Sequence, residues 1–553
     1  MILTPKQTNV FRLSIKTLIF ISGMLFFLFL QFRVQVLNGF TTLYGDSYDA
    51  AIVVAIMEHW LSFWHGNAVW SELYYFYPYK NTLAQTDGYF IIGMIYSVIR
   101  VFDFDPFISS ELSNAVIKCI GFSGFFWMMR KVFSVNFLWS VLAAGLFMIA
   151  NNLTSHGTRV QLATLAFAPI VTTLLWSACN HLLANNRRQV VINGGAAGIL
   201  LGAWAITCFY MTWFYIFFTI FFSLALLIVN NRHSTYLFFR AIITHWVAVL
   251  IVAVITGLSF VPLLVIYLPK AAETGFRLYE TAFHYTVPPI GILQVGQQNL
   301  LFGDLYNKVA KIITSNYPAE GEYSNTGIAP ILFVIFIFAT LTLFSKNTQP
   351  RNKALLRAAG LATLVTWSLI IQINGVSLWY YVFTYFPGAQ ALNVVTAYQL
   401  FLTFPIVTLS LVYLSRMSPR LPVSILLILI GLLILEELNR AYISLDRQAE
   451  LRKIADIPPA PNTCDVFYVS GWKTQTTMID KIYAHNVSAM LIAELIKKPT
   501  INGFASFNPP DWNLADPNAA DYDARVAAYL ASHKIVNTCK LDLDTKTWRT
   551  IGQ

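Results

Sequence analysis

The chain has 553 residues, of which 56% are hydrophobic, 15% aromatic and only 12% charged, with a formal net charge of +10. A soluble chain carries about 25% charged residues, so this composition excludes an ordinary soluble enzyme and a disordered protein. Five cysteines without a CxxC spacing exclude a zinc finger, an iron–sulfur protein and a disulfide-dense mini-domain.

A membrane-crossing helix needs about 20 mostly apolar residues. The first such stretch, Ser14 to Leu37, follows Lys6, Arg12 and Lys16 and lacks a small-residue cleavage site. It reads as an uncleaved anchor with Arg33 snorkelling. Further spans are expected at 107–129, 134–151, 160–183, 189–206, 208–230, 241–268, 328–344, 358–374, 395–414 and 421–438, which makes eleven. An odd number places the termini on opposite sides. With the N-terminus inside, the inner segments hold fifteen basic residues and no acid: Lys6, Arg12, Lys16, Arg130, Lys131, Arg187, Arg188, Arg232, Arg240, Lys346, Arg351, Lys353, Arg357, Arg416 and Arg420. All 27 acidic residues fall in 46–111, 273–322 and 436–553, which lie outside. The positive-inside rule counts Lys and Arg alone, so the acid segregation points the same way independently. Segment 87–103 would invert this topology as a full span; it reads as a helix at the outer interface with Arg100 at the headgroups.

The expected fold is an all-α polytopic membrane bundle over 1–438, N-terminus in and C-terminus out, with outer loops at 38–106 and 269–327. A small α/β outer domain follows at 439–553. That tail reads as a strand at Val466–Val469, helices near Ser488–Ile496 and Tyr522–Ala531, and a hairpin around Asp544-Thr545. Cys464 and Cys539 are its only cysteines; they pair in an oxidising compartment or stay as two buried thiols. Cys119, Cys179 and Cys208 read as packing residues within spans.

Because every acid faces outward, acid–base or metal chemistry belongs to the outer face. The densest constellation is the first loop, where Asp46 and Asp49 arrive immediately after the first span. Asp46 is either an N-cap with Asp49 in the first turn or a general base tuned by a half-buried site. Glu58 lies half a turn from Asp49 on a straight helix, so Glu58 and His59 read as interfacial anchors. They lack the spacing of a HExxH zinc helix. Asp87 opens the interfacial helix, as its cap or as a second site carboxylate. Outer cations are His156, Arg159, Lys270 and Arg277, each a phosphate clamp or a snorkelling anchor. The aromatic run Tyr74–Tyr79 is an interfacial belt or a sugar-stacking platform. No GxxxxGK[ST] loop is present. Only edge positions such as Lys118 and His245 interrupt the spans, which argues against an ion-coupled symporter. The thin spread of basic residues gives no motive for nucleic-acid binding.

Five stretches carry a resemblance: GDSYDAAIVVAIMEHW (45–60), FYPYKNTLAQTDG (76–88), HGTRVQLATLAFAP (156–169), PGAQALNVVTAYQ (387–399) and SAMLIAELIKKPTINGFASFNPPDW (488–512). With the many-span layout and the outer tail, they resemble the GT-C superfamily of integral-membrane glycosyltransferases, in its bacterial form. The resemblance implies a sugar donor carried on a polyprenyl phosphate, a glycan or lipid acceptor, and transfer with inversion on the outer face of a bacterial inner membrane. By position the base is Asp46. Asp49 or Asp87 would orient the acceptor or hold a divalent cation, the one cofactor this reading admits, and Arg159 or Lys270 would neutralise the departing phosphate. Two departures stand out. Asn393 and Ala397 occupy positions where the family often has arginines, and the WWD-type motif of oligosaccharyltransferases is absent. The alternative is a non-catalytic GT-C-like scaffold, or a transporter or flippase of a lipid-linked glycan.

Overall fold

A computed structural model describes residues 5–313, 325–344, 352–440, 443–472 and 478–551, without the side chains of 5–13 and 478–483. Lys346, Arg351, Glu320 and Glu322 lie outside these residues, as do the side chains of Lys6 and Arg12.

The chain opens with α1 (Pro5–Leu37), strand β1 (Thr42–Leu43), α2 (Asp49–Trp64) and α3 (Phe90–Arg100). The bundle continues with α4 (Pro106–Lys131), α5 (Phe137–Ile149), α6 (Asn151–Ser155), α7 (Ala168–Leu183), α8 (Arg187–Thr207), α9 (Phe209–Val229), α10 (Arg232–Thr244) and α11 (Trp246–Thr274). The loop after α11 holds α12 (Tyr279–Phe283) and α13 (Gly303–Ile313). Then come α14 (Pro330–Phe344), α15 (Lys353–Ile370), the hairpin β2 (Gln372–Ile373) and β3 (Val376–Ser377), α16 (Trp379–Tyr385), α17 (Tyr398–Met417) and α18 (Val423–Glu436). The tail consists of β4 (Leu445–Asp446), α19 (Arg447–Ile454), β5 (Val466–Ser470), α20 (Met478–Ile496), α21 (Tyr522–Ser532), β6 (Thr538–Asp542) and β7 (Thr547–Thr550).

Among the described residues nine helical segments are long and apolar enough to cross a membrane: Ser14–Leu37, Pro106–Lys131, Phe137–Ser155, Val160–Leu183, Arg187–Thr207, Phe209–Val229, Trp246–Thr274, Lys353–Ile370 and Val395–Arg420. The chain is therefore a polytopic helical membrane protein. Two other expected spans appear as shorter apolar helices, α14 with 15 residues and α18 with 14. The last of the nine, which holds α17, is buried from Tyr398 to Val412. Its sequence is apolar all round, as a central helix must be. One expected boundary shifts. The stretch read as a span at 241–268 breaks at His245, so α10 stands apart with no buried residue while α11 runs on to Thr274. At 11 residues, α3 rises about 16 Å, half the hydrocarbon thickness.

Contacts between helix ends sort into two sets. At one end Asn352 donates to Val132 O, Trp139 Nε1 to Ser418 Oγ at 3.1 Å, and Arg187 Nε to His245 Nδ1 at 3.0 Å. At the other, Asn151 N donates to Glu437 at 2.6 Å, Ile331 N to Glu436 at 2.7 Å, and Asn393 N to Tyr210 Oη at 2.6 Å. Every acid among the described residues belongs to the second, acid-bearing end.

Lys118 corrects the reading of an edge position. It lies midway along α4, buried, and its Nζ donates to Met148 O at 3.0 Å, beside the break between α5 and α6. A cation at a helix C-terminus satisfies carbonyls that have lost their intrahelical partners.

The tail's sheet has the order β5-β6-β7, with β6 parallel to β5 and antiparallel to β7. Leu541 faces Trp548 across the turn that holds Asp544 and Thr545. Cys464 and Cys539 form a disulfide with Cα atoms 5.6 Å apart. The tail is stitched to the first loop: β4 pairs with β1, and Arg447 forms a salt bridge with Asp105, the N-cap of α4, at 2.5 Å. A single buried cluster runs from Phe27 through the bundle to Tyr529.

Candidate functional site

Asp46 sits at the first turn after α1. Its Oδ1 accepts from the backbone N–H of Tyr48 at 2.9 Å and of Asp49 at 2.8 Å, at the entry to α2, whose cap position is Tyr48. This uses one carboxylate oxygen and leaves Asp46 exposed. Asp49 turns to Arg159, whose Nε lies 3.1 Å from its Oδ2; about a third of each side chain is exposed. The approach of the two loops depends on Gly45, at φ +119°, where a Cβ would lie 2.9 Å from Thr158. A side chain there would push the 156–159 turn, and Arg159 with it, away from Asp49.

Asp87 has a different partner from the one expected. The cap position of α3 is Tyr89, and no side chain caps that helix. Asp87 instead accepts from Phe209 N at 2.8 Å and from Cys208 Sγ at 3.7 Å, holding the N-terminus of α9. That contact requires Gly88, where a Cβ would meet Ile206 O at 2.5 Å. Burial pushes the Asp87 carboxyl up to about 6, against the opposing pull of its hydrogen bonds from Phe209 and Cys208. The phenol of Tyr89 is buried: burial raises its pKa, the charges of Asp87 and Asp49 raise it further, and Arg159 opposes them.

The remaining predicted cations are engaged elsewhere. His156 Nδ1 donates to Asn152 O at 2.8 Å. Lys270 is buried, 2.9 Å from Glu273 Oε2, with its ammonium 5.8 Å from the centre of the Tyr79 ring. Arg277 stacks on Phe507 at 4.6 Å and donates from Nη2 to Ser506 O at 3.2 Å, joining the second outer loop to the tail. Among the described residues no group of three or more His, Cys, Asp or Glu side chains is arranged to hold a metal ion. Asp49 is taken by Arg159 and Asp87 by the α9 terminus, so this arrangement does not fit a divalent cation.

Three readings need correction. Glu58 and His59 are not interfacial anchors. Glu58 is buried against Tyr96 Oη at 2.5 Å and Arg100 Nε at 2.8 Å, fastening α3 to α2. Arg100 is thereby held in an ion pair. His59 is fully buried, with Nδ1 3.5 Å from Glu494 of α20 and Nε2 3.2 Å from Trp70 O. The run Tyr74–Tyr79 is not a belt, because Tyr75 and Phe76 are buried. Its backbone pairs with the tail: Phe76 N donates to Asn502 O at 3.0 Å, Tyr77 N to Thr500 O at 3.0 Å, and Thr500 N to Tyr74 O at 2.7 Å.

Sequence reasoning missed the place of the 387–393 stretch. Trp213 Nε1 donates to Pro387 O at 2.8 Å, and Asn393 N donates to Tyr210 Oη. The stretch therefore lies over the start of α9, which Asp87 caps. An apolar groove of about 810 Å³ runs between α1, the end of α3 and α4, lined by Met24, Leu28, Phe102, Phe104, Leu112 and Trp127. No protein-family model and no curated protein matches this chain.

Proposed function

We propose that the protein is an inverting GT-C-type glycosyltransferase that moves a sugar from a polyprenyl phosphate to a glycan or lipid acceptor on the outer face of a bacterial inner membrane. With α14 and α18 counted, eleven crossings separate the termini, and the basic segments on one side favour the N-terminus inside and the tail in the periplasm. The observation that carries the reading is the placement of Asp46 beside the Asp49–Arg159 pair at the acid-bearing end of the bundle.

The acceptor hydroxyl attacks the anomeric carbon as the bond from that carbon to the phosphate oxygen breaks. Asp46, with one oxygen exposed, takes the hydroxyl proton. The polyprenyl phosphate departs with its negative charge, and Arg159 stabilises it. Both cations are paired, but the Lys270 side chain is only 3% exposed while that of Arg159 is 33% exposed, so the phosphate role falls to Arg159. Asp49 holds the Arg159 guanidinium in place. The apolar groove beside α4 suits an isoprenoid chain.

A second reading, a scaffold or a transporter of a lipid-linked glycan, is favoured by one observation: Asp46 and Asp87 each accept from backbone N–H groups at the start of a helix, which accounts for both without catalysis. Mass spectrometry of lipids co-purifying with the wild type and with Asp46→Asn separates the two. A polyprenyl phosphate on the wild type and a sugar-loaded form accumulating on the variant support transfer and give the sugar by mass. Folded proteins that carry no polyprenyl lipid overturn it in favour of the scaffold.

A further inference from the structure

The helix α13 of the second outer loop carries an apolar face that no other described residue covers. Leu305 is 58% exposed, Val309 44%, Ile312 84% and Ile313 68%. Its sequence is GDLYNKVAKII. Winding at about 100° per residue divides it into three sides. Gly303, Tyr306, Asn307 and Ala310 share one side, the least exposed, and Gly303 and Ala310 are buried against the protein. Leu305, Val309, Ile312 and Ile313 form the second side. Asp304, Lys308 and Lys311 form the third, all exposed. A helix packed on its own protein and otherwise in water needs two kinds of side; a third, apolar and open, needs another medium.

The position of α13 identifies that medium. Its start is fixed to the last turn of α18: Asn299 Oδ1 accepts from Leu301 N at 3.1 Å and Phe302 N at 2.9 Å, while its Nδ2 donates to Glu436 O at 2.7 Å. Leu300 N adds a bond to Leu438 O at 2.9 Å. Thus α13 leaves the bundle where an apolar helix ends, at the level of the lipid headgroups. The acid-bearing end has a second amphipathic helix with an open apolar edge, α3, whose Val98 is 63% exposed and is followed by Val101 and Phe102 at 72% and 70%. A helix lying in the interface buries its apolar side in the acyl boundary and keeps lysines at the phosphates.

We infer that α13 is a membrane-docking helix of the second outer loop. It lies in the outer leaflet with Leu305, Val309, Ile312 and Ile313 toward the acyl chains and Lys308 and Lys311 at phospholipid phosphates. The loop is thereby held at the bilayer surface. This rests on the membrane-spanning architecture alone and stands whether or not the protein transfers sugars.

The test places p-benzoyl-phenylalanine at Ile312, at Lys308 or at Leu305 of the full-length protein in nanodiscs of phosphatidylcholine with phosphatidylglycerol. Photolysis is followed by mass spectrometry. Ile312 is largely open, so the substitution leaves packing intact; melting against the wild type verifies the fold. The expected result is phospholipid adducts at 305 and 312, roughly tenfold over 308. Crosslinks from 312 to a second copy of the chain, or equal lipid yield at 308 and 312, overturn the inference. In a second arm Lys308→Ala with Lys311→Ala should lower the share of phosphatidylglycerol among the adducts at 312, and an unchanged share refutes the role of the lysines.

Discussion

Replacing Glu494 by glutamine tests how the tail is locked onto the first outer loop. Glu494→Gln keeps an oxygen for the Tyr74 N–H, now 3.0 Å from Oε1, and removes only the charge facing His59. Burial by itself lowers the His59 pKa; Glu494 outweighs it, with help from the Trp70 carbonyl, and the net direction is upward. A histidine raised by folding contributes stability that is complete below its unfolded value, about 6.5, and is lost as pH rises through the folded value. Removing one partner of a buried pair costs about 3–5 kcal/mol. Because His59 can shed its proton in the variant, about 3 kcal/mol is expected at pH 6, close to a hundredfold in local opening. Hydrogen exchange on the full-length protein in nanodiscs reads this at the junction, where Phe76, Tyr77 and Thr500 donate their N–H groups across the seam. With intrinsic rates corrected for pH, protection over 74–77 and 499–502 should fall about a hundredfold at pH 6 and by less at pH 8. Equal protection in the two proteins at pH 6, or a gap that widens toward pH 8, refutes the reasoning.

Asp87→Asn should raise stability at pH 7 by up to about 3 kcal/mol, since the folded protein holds a carboxyl near 6 that ionises near 3.8 when unfolded. In the wild type stability should decline from pH 4 to 6, and denaturant titrations of the variant should show that decline removed. Arg159→Ala breaks a pair exposed by about a third on each side, so melting should register less than about 1 kcal/mol. Lipid mass spectrometry on the same variant should show polyprenyl phosphate reduced roughly tenfold. Cys464→Ser opens a loop with a sequence separation of 75 and should cost about 4 kcal/mol in denaturant unfolding of the tail.

The helices and the grouping of acids at one end were legible because hydropathy and charge are local properties of a segment. Tail elements such as β5, α21 and the turn between β6 and β7 also follow from short patterns, the apolar run at 466–469 and turn residues at 544–545. The candidate site was legible in part. Asp46 at the entry to α2 is written in its own spacing to Asp49. The pairing of Asp49 with Arg159 joins positions 110 residues apart, and the roles of Glu58, His59 and the aromatic run depend on partners at 96–100, 494 and 500–502.

The amino-acid sequence by itself determined a many-span helical membrane protein with its acids gathered at one end, because about 20 apolar residues and an excluded charge decide each segment alone. Only the tertiary structure decided which carboxylate is free for chemistry. Asp87 went to α9, Glu58 to α3, His59 to the tail and Lys270 to Glu273, since a buried polar group must find a partner wherever the fold brings one. Asp46 stays exposed, and the Asp49–Arg159 pair keeps about a third of each side chain exposed.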